Sequence, residues 1–343
     1  MPWKSDQVRS ILVIHQGALG DFILALPTLE TLRKAFPQAE LEIIGYLQIL
    51  ELVEQRFYAK GILSIERRGL SSFFVRGGPL DPSVSQLFGR FDLIVLFGKD
   101  EEGTFVDNLE RVCHGPILHI RPFPSPGEKI HLTDHLLGQF ARYGFPISVV
   151  YPRLRLTASD QDWGKEFWKS KGLTMEEMSE SIILHPGSGS RKKVWPLERF
   201  LSLSETLQDR FHSRIFIILG PAEGSETERV FEGRASRSFI RVKGLSLVQL
   251  ASVIKGGRAF IGNDSGISHL ASALEVPTVA LFGPTDPEVW SPRGKKVQVI
   301  SGKIHCSPCD REKFLQCSEL ECLKRIEPEE VLQGLERLEG MTA

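Results

Sequence analysis

Three features that mark common classes of protein are missing from this chain of 343 residues. Its formal net charge is only -1, so it lacks the excess of lysine and arginine with which nucleic-acid-binding proteins neutralise phosphates. No run of about 18 or more apolar residues occurs, and the first residues contain no apolar signal region. We therefore expect a cytoplasmic protein with no transmembrane segment and no nucleic-acid partner.

Cysteine is also scarce, but four of the five cysteines lie in one C-terminal segment, at Cys306, Cys309, Cys317 and Cys322. Four thiols so close together could hold zinc in a tetrahedral site. The irregular spacing does not favour this interpretation, and free thiols are expected instead. Without a signal region the chain is not expected to meet an oxidising compartment, so disulfides are not expected either. Cys113 is expected to be a lone core residue.

Short apolar runs alternate with helical patterns along most of the chain, which is typical of α/β proteins with parallel sheets. In the first part we predict strands at residues 10–15, 41–45, 61–65, 92–97, 116–120 and 152–156. In the second part we predict strands at residues 181–185, 214–220, 239–242 and 259–261, and a helix at 223–234 between the second and third of them. The pattern therefore predicts two Rossmann-like domains with a cleft between them.

The change in composition after the first alternation sets the predicted domain boundaries. Residues 1–157 form the N-terminal domain and residues 181–327 the C-terminal domain. A polar helix and a connector rich in Met and Glu, at residues 158–180, join them. The last segment, residues 328–343, contains a helix that we expect to cross back to the N-terminal domain.

One motif spans residues 260–287 and reads FIGNDSGISHLASALEVPTVALFGPTDP. It predicts a buried strand, a polar turn, a helix at residues 266–274 and a second buried strand. Asp264 and Ser265 are residue types that begin helices, so backbone N–H groups should point outward at the end of a strand, where they attract phosphate. Gly262 and Gly266 leave room for a ligand, and His269 lies on the same helix face as Ser265.

A second motif, at residues 185–196, reads HPGSGSRKKVWP and follows a predicted strand. Its glycines permit a tight backbone nest, Ser188 and Ser190 supply hydroxyl groups, and Lys193 supplies a point charge. A charged surface loop is the plainer alternative. We favour a diphosphate site, because this loop and the turn at Asp264 should follow neighbouring strands of one sheet.

A third motif, GALGD, ends at Asp21 and follows the first strand. Its glycines have the spacing Gly-x-x-Gly, which is not a dinucleotide-binding fingerprint. Asp21 could simply cap the helix that opens there. Pro27 interrupts the apolar pattern of that helix, which predicts that the helix kinks or begins late.

The stretch at residues 67–90 is rich in glycine and arginine, with Arg67, Arg68, Arg76 and Arg90 among aromatic residues. A solvated loop is the plain interpretation. The arginines also make it a candidate for binding an anionic acceptor.

Three motifs together resemble those of glycosyltransferase family nine, the heptosyltransferases of lipopolysaccharide core assembly: HPGSGSRKKVWPLERF, GNDSGISHLASALEVPTVALFGPTDP and GALGDFILALPTL. The resemblance covers about residues 11–335. It implies the GT-B fold, in which an N-terminal acceptor-binding domain and a C-terminal nucleotide-sugar-binding domain face each other across a cleft. It also implies an inverting, metal-independent transfer of heptose from ADP-L-glycero-D-manno-heptose to the lipopolysaccharide inner core.

The same resemblance implies a role for individual residues. Asp21 matches the general base, and Lys193 matches the lysine that meets the donor diphosphate. The remaining donor-binding positions that it implies are Ser188, Ser190, Glu226, Asp264, Ser265, Gly266 and His269, with Glu226 near the adenosine ribose. The only Asp-x-Asp of the sequence, Asp160-Gln-Asp162, opens the polar connector helix, so we do not predict a metal or a cofactor there.

Several alternatives stay open at this point. The chain could use another nucleotide sugar or another envelope glycan, it could be a nucleotide-sugar epimerase of GT-B fold, or it could bind a nucleotide sugar without catalysis. Asp21 separates the last alternative from the others, because a binding protein has no need of a carboxylate opposite a phosphate site. The resemblance places the acceptor at the inner membrane surface, and peripheral attachment of the protein there is left open.

Overall fold

The computed structural model describes residues 7–220, 227, 230–231 and 239–339. The chain divides into two compact units, Met1–Val150 and Tyr151–Ala343, which we call the first and the second unit. Each unit contains one parallel β-sheet and several helices. The α/β class predicted from the alternation of strands and helices is therefore confirmed.

The first unit has a five-stranded sheet in the order β3-β2-β1-β4-β5, and all its strands are parallel. The strands are β1 (Ser10–His15), β2 (Glu40–Gly45), β3 (Gly61–Ser64), β4 (Leu93–Phe97) and β5 (Ile117–Ile120). The helices are α1 (Leu19–Ala35), α2 (Leu47–Leu50), a 3₁₀ turn (Leu70–Phe74), α3 (Pro82–Phe88), α4 (Thr104–Glu110) and α5 (Leu132–Arg142).

The apolar sequence of β1 explains its central place in this sheet. Leu12, Val13 and Ile14 are fully buried, so both faces of the strand are covered, as is usual for parallel sheets. Helix α1 begins at Leu19 and continues through Pro27 to Ala35. Of the two alternatives predicted for this helix, a kink or a late start, the late start is excluded. Within the helix, the hydroxyl of Thr31 donates to the carbonyl oxygen of Pro27 at 2.8 Å.

The second unit has a six-stranded parallel sheet in the order β11-β10-β9-β6-β7-β8. The strands are β6 (Ile182–His185), β7 (Ile215–Leu219), β8 (Phe239–Lys243), β9 (Ala259–Asn263), β10 (Thr278–Phe282) and β11 (Val297–Ser301). The helices are α6 (Ala158–Ser170), α7 (Met175–Ser179), a 3₁₀ turn (Arg191–Lys193), α8 (Leu197–Phe211), α9 (Leu247–Gly256), α10 (Gly266–Ala273), α11 (Pro287–Trp290), α12 (Arg311–Gln316), α13 (Glu321–Lys324) and α14 (Pro328–Glu339).

The border between the two units differs from the predicted one. The first unit ends at Val150, and α6, which the sequence suggested as a connector, packs against α9 of the second unit. Gly164 makes this contact close, because a Cβ atom there would lie 2.9 Å from the carbonyl oxygen of Ser252.

The strand predicted at residues 152–156 is wrong. The segment is assigned to no strand, and its Leu154 N–H donates to the carbonyl oxygen of Ala273 at 2.8 Å. Pro152 has no backbone N–H and so cannot donate to a strand ladder.

The final helix α14 packs on α8, β10 and β11, and its residues Val331, Leu332 and Leu335 are buried in the core of the second unit. Its predicted crossing to the N-terminal domain stays a prediction. The helix predicted at residues 223–234 falls largely outside the described residues. Over the described ranges, no helix is both long and apolar enough to cross a bilayer.

Each sheet contains one point where the strand order reverses direction. In the first unit it lies between β1 and β4, and in the second unit between β6 and β9. Connections leave such neighbouring strands in opposite directions, which opens a crevice at their carboxyl ends. Ligand sites are therefore expected after His15 and Phe97 in the first unit, and after His185 and Asn263 in the second.

Candidate active site

The first unit has a cavity of about 300 Å³ at the reversal point of its sheet. The carboxyl ends of β1 and β4 and the residues that follow them form its floor. The lining residues are His15, Gln16, Gly17, Asp21, Phe74, Phe97, Gly98, Lys99, Pro122, Phe123 and Leu136. A space of this size, with few polar groups among apolar walls, suits a small organic ligand.

Asp21 lines this cavity and also caps helix α1. It is the third residue of the helix, and its Oδ2 accepts a hydrogen bond from the backbone N–H of Ala18 at 3.2 Å. The side chain is partly exposed. The capping and functional interpretations of Asp21 are therefore compatible, because one carboxylate can hold the helix start and still face a ligand.

His15 is a second polar residue of the cavity, and the sequence motifs did not single it out. It ends β1, is only 6% exposed, and packs its ring near those of Phe22 and Phe97. Burial lowers the pKa of this imidazole to about 4, so the ring is neutral at pH 7. Its position at the end of a central parallel strand was the signal available in the sequence.

The outer part of the cavity combines a cation with aromatic rings. The ammonium group of Lys99 lies 5.9 Å from the centre of the Phe123 ring, and the side chain of Phe74 is half exposed. Aromatic faces pack well on sugar rings, and a lysine there would attract an acidic ligand.

The arginine-rich stretch contributes Phe74 to this cavity, and no arginine of the stretch is among the lining residues. Arg90 makes two hydrogen bonds to the carboxylate of Glu42, at 2.7 and 2.9 Å. It precedes β4 and therefore lies at the opposite edge of the sheet from Asp21. Its predicted role in binding an acceptor stays a prediction, as does that of Arg67, Arg68 and Arg76, which are exposed.

In the second unit, an ion pair and hydrogen bonds at Asp264 hold the loops after β6 and β9 together. The ammonium group of Lys193 lies 2.8 Å from Oδ2 of Asp264, and the hydroxyl of Thr285 donates to the same oxygen at 2.5 Å. The hydroxyl of Ser188 donates to the backbone carbonyl of Asp264 at 2.8 Å. The Asp264 side chain is 7% exposed and that of Lys193 is 27% exposed, so of the two partners the lysine is the more accessible to a ligand.

Asn263 fixes the same two loops from beneath. Its side-chain amide donates to the carbonyl oxygen of Pro186 at 2.8 Å and accepts from the backbone N–H of Trp195 at 3.0 Å. Asn263 is fully buried. The predicted phosphate loop therefore has a fixed position beside the start of α10, which is the condition for preorganised charge stabilisation.

Ser265 begins α10 with an extended backbone, and its side chain makes no capping hydrogen bond to the helix. Within the described part of the chain, the first N–H groups of α10 therefore have no cap from the N-cap side chain, and such N–H groups attract anions. Gly266 is the first residue of this helix, and His269 is buried in its first turn. Ser265 thus occupies the N-cap position without a capping hydrogen bond from its side chain, and the role of Gly266 and His269 in donor binding stays a prediction.

Gly262 has a different role from the predicted one. A Cβ atom there would lie 2.8 Å from the Phe260 ring and 3.2 Å from the Ser268 hydroxyl. The absent side chain therefore makes room for core packing, and the prediction that Gly262 leaves space for a ligand is wrong.

Of the neighbouring cations Lys192 and Lys193, only Lys193 pairs with Asp264. Lys192 donates to the backbone carbonyl of Phe314, at 2.8 Å, and to that of Leu315, at 2.5 Å, and so fastens the loop to the end of α12. Ser190 caps the 3₁₀ turn by accepting from the backbone N–H of Lys192 at 3.3 Å. The loop thus has one lysine with a structural anchor and one at the candidate site.

The segment with Cys306, Cys309, Cys317 and Cys322 contacts the loop that carries Thr285. All five cysteines are free thiols, and the backbone N–H of Cys309 donates to the carbonyl oxygen of Pro284, next to Thr285, at 2.7 Å. Burial, followed by the nearby thiols, raises the pKa of Cys322 to about 11. Over the described ranges, no group of three or more His, Cys, Asp or Glu side chains is arranged to hold a metal ion.

Two further predictions can be located. Asp160 accepts a hydrogen bond from the backbone N–H of Thr157 at 2.8 Å, and the Thr157 hydroxyl accepts from the N–H of Asp160 at 3.1 Å. The Asp-x-Asp sequence is thus part of a capping box, as its place at a helix start suggested. Glu226, predicted near the ribose, lies outside the described residues.

A family model for glycosyltransferase family 9 (heptosyltransferase) matches residues 130–319, more than half of the chain. The chain belongs to this family. The family predicted from the three motifs is therefore confirmed, and with it the assignment as a glycosyltransferase.

The sequence is 29% identical over 187 residues to lipopolysaccharide heptosyltransferase 1 of Pseudomonas aeruginosa. That match covers 49% of this chain and 52% of the relative. The chain thus spans about half the length of this curated relative.

Among solved structures, the glycosyl transferase family 9 protein of Veillonella parvula has a TM-score of 0.79 at 22% identity, covering 97% of this chain and 98% of that one. The E. coli ADP-heptose lipopolysaccharide heptosyltransferase II has a TM-score of 0.73 at 18% identity, covering 96% and 98%. At such identities the likeness shows the fold alone, and the predicted GT-B fold is confirmed.

Proposed function

We propose that this glycosyltransferase moves a heptose from ADP-L-glycero-D-manno-heptose to an inner-core sugar of lipopolysaccharide, with inversion at the anomeric carbon and without a metal ion. The names of the related proteins support the donor and acceptor classes, since they include a lipopolysaccharide heptosyltransferase and an ADP-heptose heptosyltransferase.

The second unit is proposed to bind the donor. The diphosphate would lie at the start of α10, against the N–H groups of Gly266 and its neighbours and the ammonium group of Lys193. Ser188, Ser190, Ser265 and His269 would complete this site, and Glu226 is proposed near the ribose. In sugar transfer the negative charge on the departing diphosphate grows as the bond to the sugar breaks, so a fixed cation and helix N–H groups stabilise the transition state more than the ground state.

The first unit is proposed to bind the acceptor sugar in the cavity that contains Asp21. The acceptor hydroxyl oxygen forms the new bond to the anomeric carbon, while the bond from that carbon to the diphosphate oxygen breaks and ADP leaves with the electron pair. The hydroxyl proton passes to the carboxylate of Asp21. Attack from the side opposite to the leaving group accounts for inversion.

The observation that carries a transfer reaction, and not binding alone, is the place of Asp21. A carboxylate needed only as a helix cap could lie anywhere on the surface, whereas this one lines a cavity large enough for a sugar. The metal-free assignment is supported by the capping role of Asp160 and by the presence of Lys193 where a cation is needed.

The test is to incubate the purified protein with the ADP-heptose and with lipopolysaccharide that lacks heptose, and to follow ADP release and the mass of the acceptor. We expect ADP release only when both substrates are present, with one heptose added to the acceptor. ADP release without acceptor, together with free sugar, would instead indicate an epimerase or hydrolase. Transfer from a UDP-sugar but not from the ADP-heptose would also contradict the proposal.

A further inference from the structure

His15 has a defined proton arrangement in this structure. Its Nδ1 accepts a hydrogen bond from the backbone N–H of Gly17 at 3.2 Å. A ring nitrogen that accepts cannot carry the proton, so in the neutral imidazole the proton is on Nε2. Burial keeps the ring neutral at physiological pH, because the pKa of His15 is lowered to about 4. His15 is therefore a fixed neutral hydrogen-bond donor.

The Nε2–H group of His15 faces the cavity. Within the described part of the chain, no group is hydrogen-bonded to Nε2, and this atom is not among the fully buried polar atoms that lack a partner. The rings of Phe22 and Phe97 lie near the imidazole, and the space that His15 lines is the cavity that contains Asp21. A ligand in this cavity is thus the partner left for Nε2–H.

Gly17 sets the distance between His15 and Asp21. A Cβ atom at Gly17 would lie 2.6 Å from Cε1 of His15 and 2.9 Å from Cβ of Asp21. The imidazole of His15 and the side chain of Asp21 therefore lie side by side on one wall of the cavity, and Gly17 lies between them without a side chain. This wall offers one hydrogen-bond donor, the Nε2–H of His15, and one acceptor, the carboxylate of Asp21. Two neighbouring sugar oxygens complement them, because one can accept a hydrogen bond and the other can give up a proton.

We propose that His15 is a positioning residue for the acceptor: its Nε2–H donates a hydrogen bond to the sugar oxygen adjacent to the attacking hydroxyl, and so holds that hydroxyl against Asp21. This inference rests on the proposed function of the cavity. It further defines the acceptor as a sugar with an oxygen on the carbon next to the attacked position. A sugar that lacks this oxygen leaves the His15 donor unpaired in a buried place, which selects against it.

Two substitutions separate positioning of the acceptor from support of the turn. In His15→Asn, the side-chain oxygen takes the place of Nδ1 and can accept from Gly17, but the amide nitrogen lies at the place of Cδ2, so there is no donor at the position of Nε2. In His15→Gln, the amide N–H reaches the place of Nε2, but the bond to Gly17 is lost. A purely structural His15 would thus be replaced better by Asn, and a positioning His15 better by Gln.

We expect kcat/KM for the acceptor to fall about ten- to a hundredfold in His15→Asn, the range for a displaced reacting group. The His15→Gln variant should stay within about threefold of the wild type. Donor binding, measured by calorimetry with the ADP-sugar, should be unchanged in both. The shape of the pH profile should also be unchanged in His15→Asn, since His15 carries no proton that the reaction moves.

Several results would overturn the inference. If His15→Asn turns over like the wild type, or if both variants lose kcat/KM equally, His15 only supports the turn at Gly17. Loss of the acidic limb of the pH profile in His15→Asn would make His15 the base. If the wild type transfers no sugar at all, the proposed function fails first, so the two failures are distinguishable.

Discussion

Replacing Lys193 by methionine tests the donor site with little change of shape, because methionine keeps the apolar stem and removes the charge. A unit charge at about 4 Å from another interacts by about 4 kcal/mol at the effective dielectric of a partly exposed site. Asp264 lies 2.8 Å from the same ammonium and already offsets part of this field. We therefore expect the free energy of transition-state stabilisation, obtained from the loss of kcat/KM for the donor, to fall by about 2 to 4 kcal/mol. This is the loss that removal of one oxyanion donor causes.

The matched control is Lys192→Met. It removes a cation from the same loop, but this ammonium is anchored on the carbonyl oxygens of Phe314 and Leu315. It should reduce stability with little effect on donor binding. Both variants are compared by initial rates of ADP release at saturating acceptor and by calorimetric binding of the ADP-sugar. Equal, small losses in the two variants would refute the assignment of Lys193 to the diphosphate.

Lys193→Met should also reduce stability, because among the described residues it leaves the 7% exposed carboxylate of Asp264 with the Thr285 hydroxyl and without a cation. A partly exposed pair of this kind contributes roughly 1 to 3 kcal/mol, below the cost of breaking a fully buried pair. Scanning calorimetry should therefore show a Tm lower by several degrees. Rates must be measured well below that temperature, so that lost folding is not mistaken for lost chemistry.

Three further predictions concern nucleotide, pH and metal. ADP-sugars should raise the Tm more than UDP- or GDP-sugars do, by mass action on the native state, and equal shifts would count against adenine. The pKa values of His15 and His185 are lowered to about 4 by burial, so below pH 6.5 the unfolded chain binds protons that the folded one does not. The free energy of unfolding should therefore fall as pH drops from 6.5 towards 4, by at most roughly 3 kcal/mol for each histidine. A pH series of melting curves measures this fall, and a smaller fall in His185→Gln would identify the contribution of His185. EDTA should leave transfer intact; restoration of a lost rate by Mg²⁺ would contradict the metal-free assignment, and restoration by Zn²⁺ alone would point to the four-cysteine segment.

The meeting of Lys193 and Asp264 could be predicted from the sequence because it depends on local patterns. Lys193 follows β6 and Asp264 follows β9, and strand ends of a parallel sheet converge on one edge. The bounds of β1 also agree with the prediction, since the run at Ser10–His15 is apolar and is followed by a glycine turn.

Other features depend on partners that are distant in the chain. Phe97, which packs near His15, comes from β4, and Thr285, which binds Asp264, comes from the loop after β10. The ion pair of Arg90 is of the same kind, because its partner Glu42 lies on another strand. A list of residue types cannot show which of these side chains meet.

The strand predicted at residues 152–156 failed because local β-propensity does not supply a neighbouring strand. The backbone hydrogen bond that Leu154 donates goes to Ala273 at the end of α10 and not to a strand. Strand formation depends on packing and pairing more than on intrinsic preference.

The substitution Asp21→Asn tests the central claim most directly. Asparagine can still accept the hydrogen bond from the N–H of Ala18, so the helix start should survive, but it cannot take a proton from the acceptor. The control is Asp107→Asn, the same change at an exposed first-turn carboxylate of α4 that is not among the cavity residues.

The decisive measurement is the single-turnover rate of heptose transfer in the two variants, with calorimetric binding of the ADP-sugar measured on the same samples. We predict that Asp21→Asn binds the donor within a few-fold of the wild type, because the proposed donor residues belong to the second unit, and that it loses about 10² to 10⁴ in rate. Asp107→Asn should behave like the wild type. Ordinary turnover in Asp21→Asn would show that Asp21 is only a helix cap, and lost donor affinity with turnover retained would put it in the wrong part of the site.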